Sequence, residues 1–159
     1  MRKVHGIEEL NGQSESSNVQ SAYEKSIALQ MTSRDRLKWL TVVESGNVQA
    51  VRYFLKIGID NTTTTESGKT AIHLVAQRGD VAMLRLLLES GFDLNVKDIQ
   101  NNSALHDAAV HGNTGAATFL IAEKGFDPNV ENSDGQTPLS LAAENGHEAV
   151  VKLLQLGSE

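Results

Sequence analysis

The chain contains no cysteine among its 159 residues. This removes disulfides, thiolate metal sites and thiol nucleophiles together, and it fits a cytosolic or nuclear setting. Aromatic residues are scarce, with four Phe, two Tyr and one Trp. That is too few to build the stacking platforms single-stranded nucleic acid requires. No apolar run approaches the length of a membrane span, and the amino-terminal Met1-Arg-Lys-Val-His-Gly has no secretory apolar stretch. The sequons at Asn61-Thr-Thr and Asn101-Asn-Ser therefore read as turn residues. Thirteen glycines are present, but they never cluster as GxGxxG or GxxxxGKS/T, so a phosphate loop is excluded. No serine stands on the strand-to-helix elbow of a hydrolase.

Charge is present but uneven. Residues 1–65 carry eight Lys/Arg against seven Asp/Glu, whereas 66–159 carry six against thirteen, within a net charge of -6. An acidic carboxy-terminal half repels phosphate backbones and favours a basic or neutral partner, so nucleic acid and membrane surfaces are not expected.

The strongest positive signal is repetition. Gly68-Lys-Thr-Ala-Ile-His-Leu-Val-Ala-Gln-Arg-Gly79 is echoed 33 residues later by Asn101-Asn-Ser-Ala-Leu-His-Asp-Ala-Ala-Val-His-Gly112, and 34 residues after that by Gly135-Gln-Thr-Pro-Leu-Ser-Leu-Ala-Ala-Glu-Asn-Gly146. Gly58, Gly91 and Gly125, each followed two residues on by Asp60, Asp93 and Asp127, keep nearly the same beat. With its T-P-L-H-x-A pattern the chain resembles the ankyrin-repeat proteins over roughly residues 34–157. Ala71 and Ala104 stand in place of the usual proline, and Asn101 in place of the usual turn glycine. The resemblance implies an all-α solenoid of stacked helix-turn-helix units with projecting hairpin or loop fingers. Four repeats are expected, at about 34–64, 65–97, 98–131 and 132–157. A polar tail over 1–17 and an amphipathic capping helix over 18–32, with Val19, Ala22, Tyr23 and Ile27 on one face, precede them. The alternative use of that helix is as a detachable partner-binding segment.

Local signals place the helices. Ser33 is a candidate N-cap for a helix to about Glu44, with Leu37, Leu40 and Val43 or Trp39 facing inward and Gly46 ending it. A second helix is expected over 48–57 with Val51, Phe54 and Leu55 inward. The pairs 71–78 with 81–90, 104–111 with 114–123, and 138–145 with 147–156 follow. In the second of these helices Val81, Leu84, Leu87 and Leu88 form the packing face, closed by Gly91. Gly112 and Gly125 are one residue further apart than Gly79 and Gly91, which predicts a bulge at Glu123-Lys-Gly. Thr62 to Thr65 read as a solvated turn whose hydroxyls bond their own backbone, with phosphorylation as the alternative. Ala149, Val150, Leu153 and Leu154 cannot all face inward, which leaves an apolar strip. Either the chain continues as a longer solenoid, or another molecule covers that end, self-association included.

Histidine offers the main candidates for chemistry. His73 and His106 occupy the same repeat position, and the resemblance implies that their rings bond neighbouring turn backbone. Asp107 and His111, four apart on one helix, bring a carboxylate beside an imidazole. Asp107 also stands where the flanking repeats have Leu74 and Leu141. A solvent-exposed salt bridge is the plain reading, and a recognition feature the sharper one. His106, Asp107 and His111 are the only candidates for an enzyme. A metal would need a third ligand that neither His106 nor Asp98 convincingly supplies, so no metal or cofactor is expected.

Surface remains. In proteins of this family partners usually meet the finger tips and the exposed positions of each first helix. Carried onto this chain, the partner-binding positions are Glu66, Ser67, Lys69, Gln77 and Arg78, then Lys97, Ile99, Gln100, Asn102, Asp107, Val110 and His111. Glu131, Ser133, Gln136, Glu144 and Asn145 complete the strip. Ile99 and Val110 are apolar at positions expected to be exposed. The function implied is a non-catalytic interaction module, an adaptor or inhibitor that binds a protein or peptide. The alternatives are a repeat domain that positions another domain of a larger chain, or a small enzyme on the three candidate residues.

Overall fold

The computed structural model describes residues 33–157. The polar tail over 1–17 and the capping helix over 18–32 lie outside the described residues. Within them are eight helices and no strand: α1 Ser33–Ser45, α2 Val48–Lys56, α3 Ala71–Arg78, α4 Val81–Glu89, α5 Ala104–Val110, α6 Thr114–Ala122, α7 Pro138–Glu144 and α8 Glu148–Gly157. They form four antiparallel pairs. The first helices stack in the order α1, α3, α5, α7, and α4, α6 and α8 stack behind them.

Composition explains this stacking. The helices α3, α5 and α7 are short and alanine-rich, and Ala71, Ala76, Ala104, Ala108, Ala109 and Ala142 are almost wholly buried. Small side chains let neighbouring backbones approach, while Leu84, Leu87, Leu105, Leu120, Val150 and Leu154 fill the space between the two layers. Truncating one of these leucines to alanine costs about 2–5 kcal/mol. The few aromatics are concentrated at one end: Trp39 lies 5.8 Å from Phe54 and 5.9 Å from Phe92, ring centre to ring centre.

Several local expectations change on packing. Leu37 is 61% exposed, and the buried residues of α1 are Trp39, Leu40 and Val43. At about 100° per residue Leu37 falls beside that arc, not within it. Phe54 and Leu55 are half-buried, whereas Val51 is fully buried. In α4, Met83 joins Leu84 and Leu87 in the core while Val81 and Leu88 sit at its margin. Ser33 opens α1 as a helical residue; its side chain lies outside the described residues. The extra residue of the third repeat is absorbed where the glycine spacing placed it. There α6 stops at Ala122, and Glu123 turns extended at φ -74°, ψ 134°. Pro138 occupies the first turn of α7, where it forfeits no hydrogen bond. On α8 Val150 and Leu154 are buried, Leu153 is half-buried, and Ala149 and Leu156 are exposed.

The fingers are tight turns, not strand hairpins, among the described residues. Each closes with a backbone bond between equivalent positions: Thr65 N–H to Lys69 O at 2.9 Å, Asp98 N–H to Asn102 O at 3.0 Å, and Asn132 N–H to Gln136 O at 2.9 Å. Gly68, Asn101 and Gly135 sit at the same left-handed corner, with φ of 77°, 66° and 73°. A Cβ on Gly68 would come within 2.8 Å of the Ile99 nitrogen, so glycine is required there for space as well as conformation. Adjacent fingers are then joined through Ile99 N–H to Ser67 O at 3.1 Å and Ser133 N–H to Gln100 O at 2.9 Å.

Candidate functional site: the groove of fingers and first helices

His73 and His106 build the frame of the groove. The Nδ1 of His73 accepts the Thr70 N–H at 3.2 Å, and the Nδ1 of His106 accepts that of Ser103 at 3.0 Å. A ring nitrogen that accepts from an N–H carries no proton, so the proton is on Nε2. Each Nε2–H then donates forward to the next finger, His73 to Asn102 O at 2.9 Å and His106 to Gln136 O at 3.0 Å. Both rings are 1% exposed or less. Burial pulls His106 below its ordinary value of 6.5, and the nearby Lys97 ammonium adds to the effect against opposing contributions from Gln136 O, Asp107 and Asp98. The ring is therefore held neutral as a structural tie, with neither nitrogen free for acid–base work. In the fourth repeat Ser140 replaces the histidine and does only the local half of the task, accepting the Thr137 N–H at 3.0 Å.

A second set of ties runs backward. Asn113 Nδ2 donates to Ala76 O at 2.8 Å and Gln77 O at 2.6 Å, closing the end of α3. His147 Nε2 bonds Val110 O at 2.8 Å at the end of α5, and Arg78 Nη1 donates to Glu44 O at 2.6 Å at the end of α1. The sequence reading missed these fasteners. Their signal was the polar residue just after Gly112 and Gly146, at the start of each second helix.

The finger positions Thr65, Asp98 and Asn132 act as side-chain staples. Asp98 Oδ1 accepts the N–H groups of Gln100 and Asn102 at 2.9 and 2.8 Å, and Asn132 Oδ1 accepts those of Asp134 and Gln136 at 3.0 and 2.9 Å. Thr65 Oγ1 accepts the Lys69 N–H at 3.1 Å. Desolvation pushes the Asp98 carboxyl up, but the bonds from Asn102, the Lys69 ammonium and the Gln100 N–H together outweigh it and hold the group below its ordinary range. In the threonine run, Thr63 is buried and Thr62 Oγ1 donates to the Asp60 carboxylate at 2.6 Å. Thr65 Oγ1 meets Ser67 Oγ at 2.9 Å. The Thr62 and Thr65 hydroxyls are thus engaged with side chains and the Lys69 amide, while the buried Thr63 hydroxyl has no hydrogen-bond partner.

Asp107 departs most from expectation. Its carboxylate does not meet the His111 ring, because His111 Nδ1 lies 2.9 Å from the Asp107 backbone oxygen instead. The exposed intrahelical salt bridge is replaced by a buried one between repeats, with Asp107 only 6% exposed. Its Oδ1 accepts a very short bond from Lys69 Nζ and one from Gln77 Nε2 at 3.1 Å. Lys69 Nζ is also 3.5 Å from Asp98 Oδ2. The candidate residues His106, Asp107 and His111 are therefore not hydrogen-bonded to one another through their side chains. Among the described residues no three His, Asp or Glu side chains converge as metal ligands would.

Of the positions expected to meet a partner, Glu66, Ser67, Arg78, Ile99, Gln100, His111, Glu131, Ser133, Glu144 and Asn145 are exposed, while Lys69, Gln77, Lys97, Asn102, Val110 and Gln136 are half-buried. Ile99 is 72% exposed. Val110 is not freely exposed, since it packs against the core at the groove floor.

Comparison with known proteins matches the description "Ankyrin repeats (3 copies)" to residues 39–132 and "Ankyrin repeat" to residues 134–158. The chain belongs to the ankyrin-repeat family. It is 34% identical over 88 residues to protein phosphatase 1 regulatory subunit 12A of Mus musculus, covering 55% of this chain and 7% of that protein. It is 33% identical over 85 residues to a transient receptor potential cation channel subfamily A member 1 homolog of Caenorhabditis elegans, covering 54% and 7%. An ankyrin repeat protein of Pyrobaculum aerophilum is 38% identical over 71 residues, covering 45% and 26%. The chain thus spans a small share of each relative's length. A regulatory subunit and a channel have little in common beyond the repeats, so the likeness follows the fold and not one activity. No described helix of this ankyrin-repeat chain is long and apolar enough to cross a membrane.

Proposed function

We propose that this chain is a non-catalytic interaction module, an adaptor or inhibitor that binds a protein or peptide partner in the groove formed by its fingers and first helices. The observation that carries this reading is the contrast between rigidity and exposure. Buried histidine ties and finger-to-finger bonds fix a scaffold from which Ile99 projects 72% exposed at a finger turn, with half-buried Val110 at the end of α5 among polar residues of the third and fourth repeats. An apolar centre within a polar rim is where binding energy concentrates, and a preformed surface spends little on ordering itself. The acidic balance of residues 66–159 favours a basic or neutral partner over nucleic acid.

The second reading is a repeat domain that positions another part of a larger protein. Its support is that the relatives match over 7% to 26% of their own length. Affinity capture from the native source tests the first reading. Wild type is compared with the double variant Ile99→Ala/Val110→Ala and with Lys152→Ala on the exposed side of α8. A partner lost only with the double variant supports the groove; a partner lost only with Lys152→Ala places binding elsewhere.

A further inference from the structure

Each helix pair in the stack presents a trailing side to the pair after it. α7 and α8 pack against α5 and α6, and among the described residues no pair follows them. The missing cover shows position by position. Leu139 is half-buried, whereas Ile72 and Leu105, likewise second in their helices, are 1% exposed or less. Ala143 is exposed and Val151 half-buried, although the equivalent Ala76 with Ala109, and Leu84 with Ala117, are wholly buried. A terminal repeat turns polar on its outer side when water is its neighbour. These three residues keep the apolar character of an interior contact. The leading side of the first pair is short of cover too: Val42, Ala50 and Phe54 are half-buried where Val75, Met83 and Leu87 are 1% exposed or less.

We infer that the trailing face of α7 and α8 receives the leading face of α1 and α2 from a second copy of this chain. The junction then repeats the contact between neighbouring repeats. Asn47 follows Gly46 as Asn113 follows Gly112, and Asn113 Nδ2 reaches back to Ala76 O and Gln77 O of the preceding repeat. Asn47 Oδ1 accepts the Ala50 N–H at 3.1 Å, and its Nδ2 has no acceptor among the described residues. At the junction that Nδ2 donates to Ala143 O and Glu144 O of the other copy, the counterparts of Ala76 O and Gln77 O. Charge selects head against tail. Residues 34–64 carry five Lys/Arg against three Asp/Glu, whereas 132–157 carry one against three, so unlike ends attract and like ends repel. Lys38 and Thr41 are exposed on the leading side where Ala71 and Leu74 are buried, so this contact is less apolar than an interior one and depends more on charge. A heterologous contact leaves an open end on each assembly, and copies add as concentration rises. The contact lies at the ends of the stack and stands whether or not the groove is the docking surface.

Sedimentation equilibrium of the full chain from about 10 μM to about 1 mM tests this, a range that reaches the weakest specific associations. The average mass should climb past that of a dimer without levelling off. Raising salt from about 0.1 M to about 1 M, which shortens the screening length from about 10 Å to about 3 Å, should weaken association at least about threefold. Two variants block opposite ends at exposed positions. Lys38→Glu/Asn47→Asp keeps the acceptor that caps α2 but removes the spare donor and turns the head acidic; Ala143→Arg places a bulky cation on the tail. Each alone should be monomeric, and an equimolar mixture should form a heterodimer and nothing larger, because one good head and one good tail remain. A wild type that stays monomeric to about 1 mM overturns the inference and leaves the trailing face to a different occupant. A plateau at the dimer, or association of the head variant by itself, means tail-to-tail pairing and overturns it as well. Should either variant lose its native circular dichroism, the concentration and salt series on wild type decides.

Discussion

Removing the His106 ring should separate two jobs that one side chain performs. His106→Ser copies the solution the chain itself uses at Ser140, keeping an acceptor for the local amide but losing the reach to Gln136 O. The lost bond between repeats costs about 1 kcal/mol, and the space left by a ring 1% exposed costs about 1–2 kcal/mol more. His106→Ala also strips the acceptor for the Ser103 N–H, adding about 1 kcal/mol, the usual cost of a lost cap. The expected ordering is wild type, then Ser about 2–3 kcal/mol below it, then Ala about 3–4 kcal/mol below. Urea unfolding followed by circular dichroism at 222 nm, near pH 7.5, measures each. In a repeat array stability resides in neighbour interfaces, so the fourth repeat should loosen first and the transition broaden. An alanine variant less than about 1 kcal/mol below wild type would refute the forward tie, and equal serine and alanine variants would refute the cap.

Acidification should act on the same residue. The folded His106 pKa lies below its ordinary 6.5, so between the two values the unfolded chain binds more protons, and stability falls as pH drops from about 6.5 toward the folded value. His106→Ser should remove that part of the slope; a wild-type slope identical to the variant's contradicts it. Asp98, whose folded pKa is also lowered, holds stability that is present above 3.8 and lost as pH falls below it, which Asp98→Asn should reduce. At the corner of the second finger, Asn101→Gly should match or exceed wild-type stability because φ is 66°, whereas Asn101→Val should cost about 1–2 kcal/mol. A valine variant as stable as wild type in thermal melts would mean the corner is not left-handed in solution.

The repeat beat made the fold readable because each period is one helix pair, and the glycines that keep time occupy backbone corners only glycine or asparagine fills easily. The His73 and His106 ties were implied by the family resemblance, and the bulge at Glu123 was a matter of counting between Gly112 and Gly125. What the sequence could not resolve was contact between repeats. Asp107 and His111 look paired on a helical wheel, but Lys69 is 38 residues before Asp107 and reaches it only once the helices stack. Leu37 and Val110 failed in opposite directions because the buried arc of a short helix is set by its neighbours on both sides. The polar fasteners at Asn113 and His147 share a position after a repeat glycine but not a residue type, so the letters mark a polar residue there without showing that it reaches back to the preceding repeat.

Hydrogen exchange on the full chain, free and saturated with the captured partner, reports on the groove most directly. Protection is predicted over the fingers 65–69, 98–102 and 132–136 and along the ends of α3, α5 and α7, with α4, α6 and α8 unchanged. Protection confined to the second helices would contradict the account.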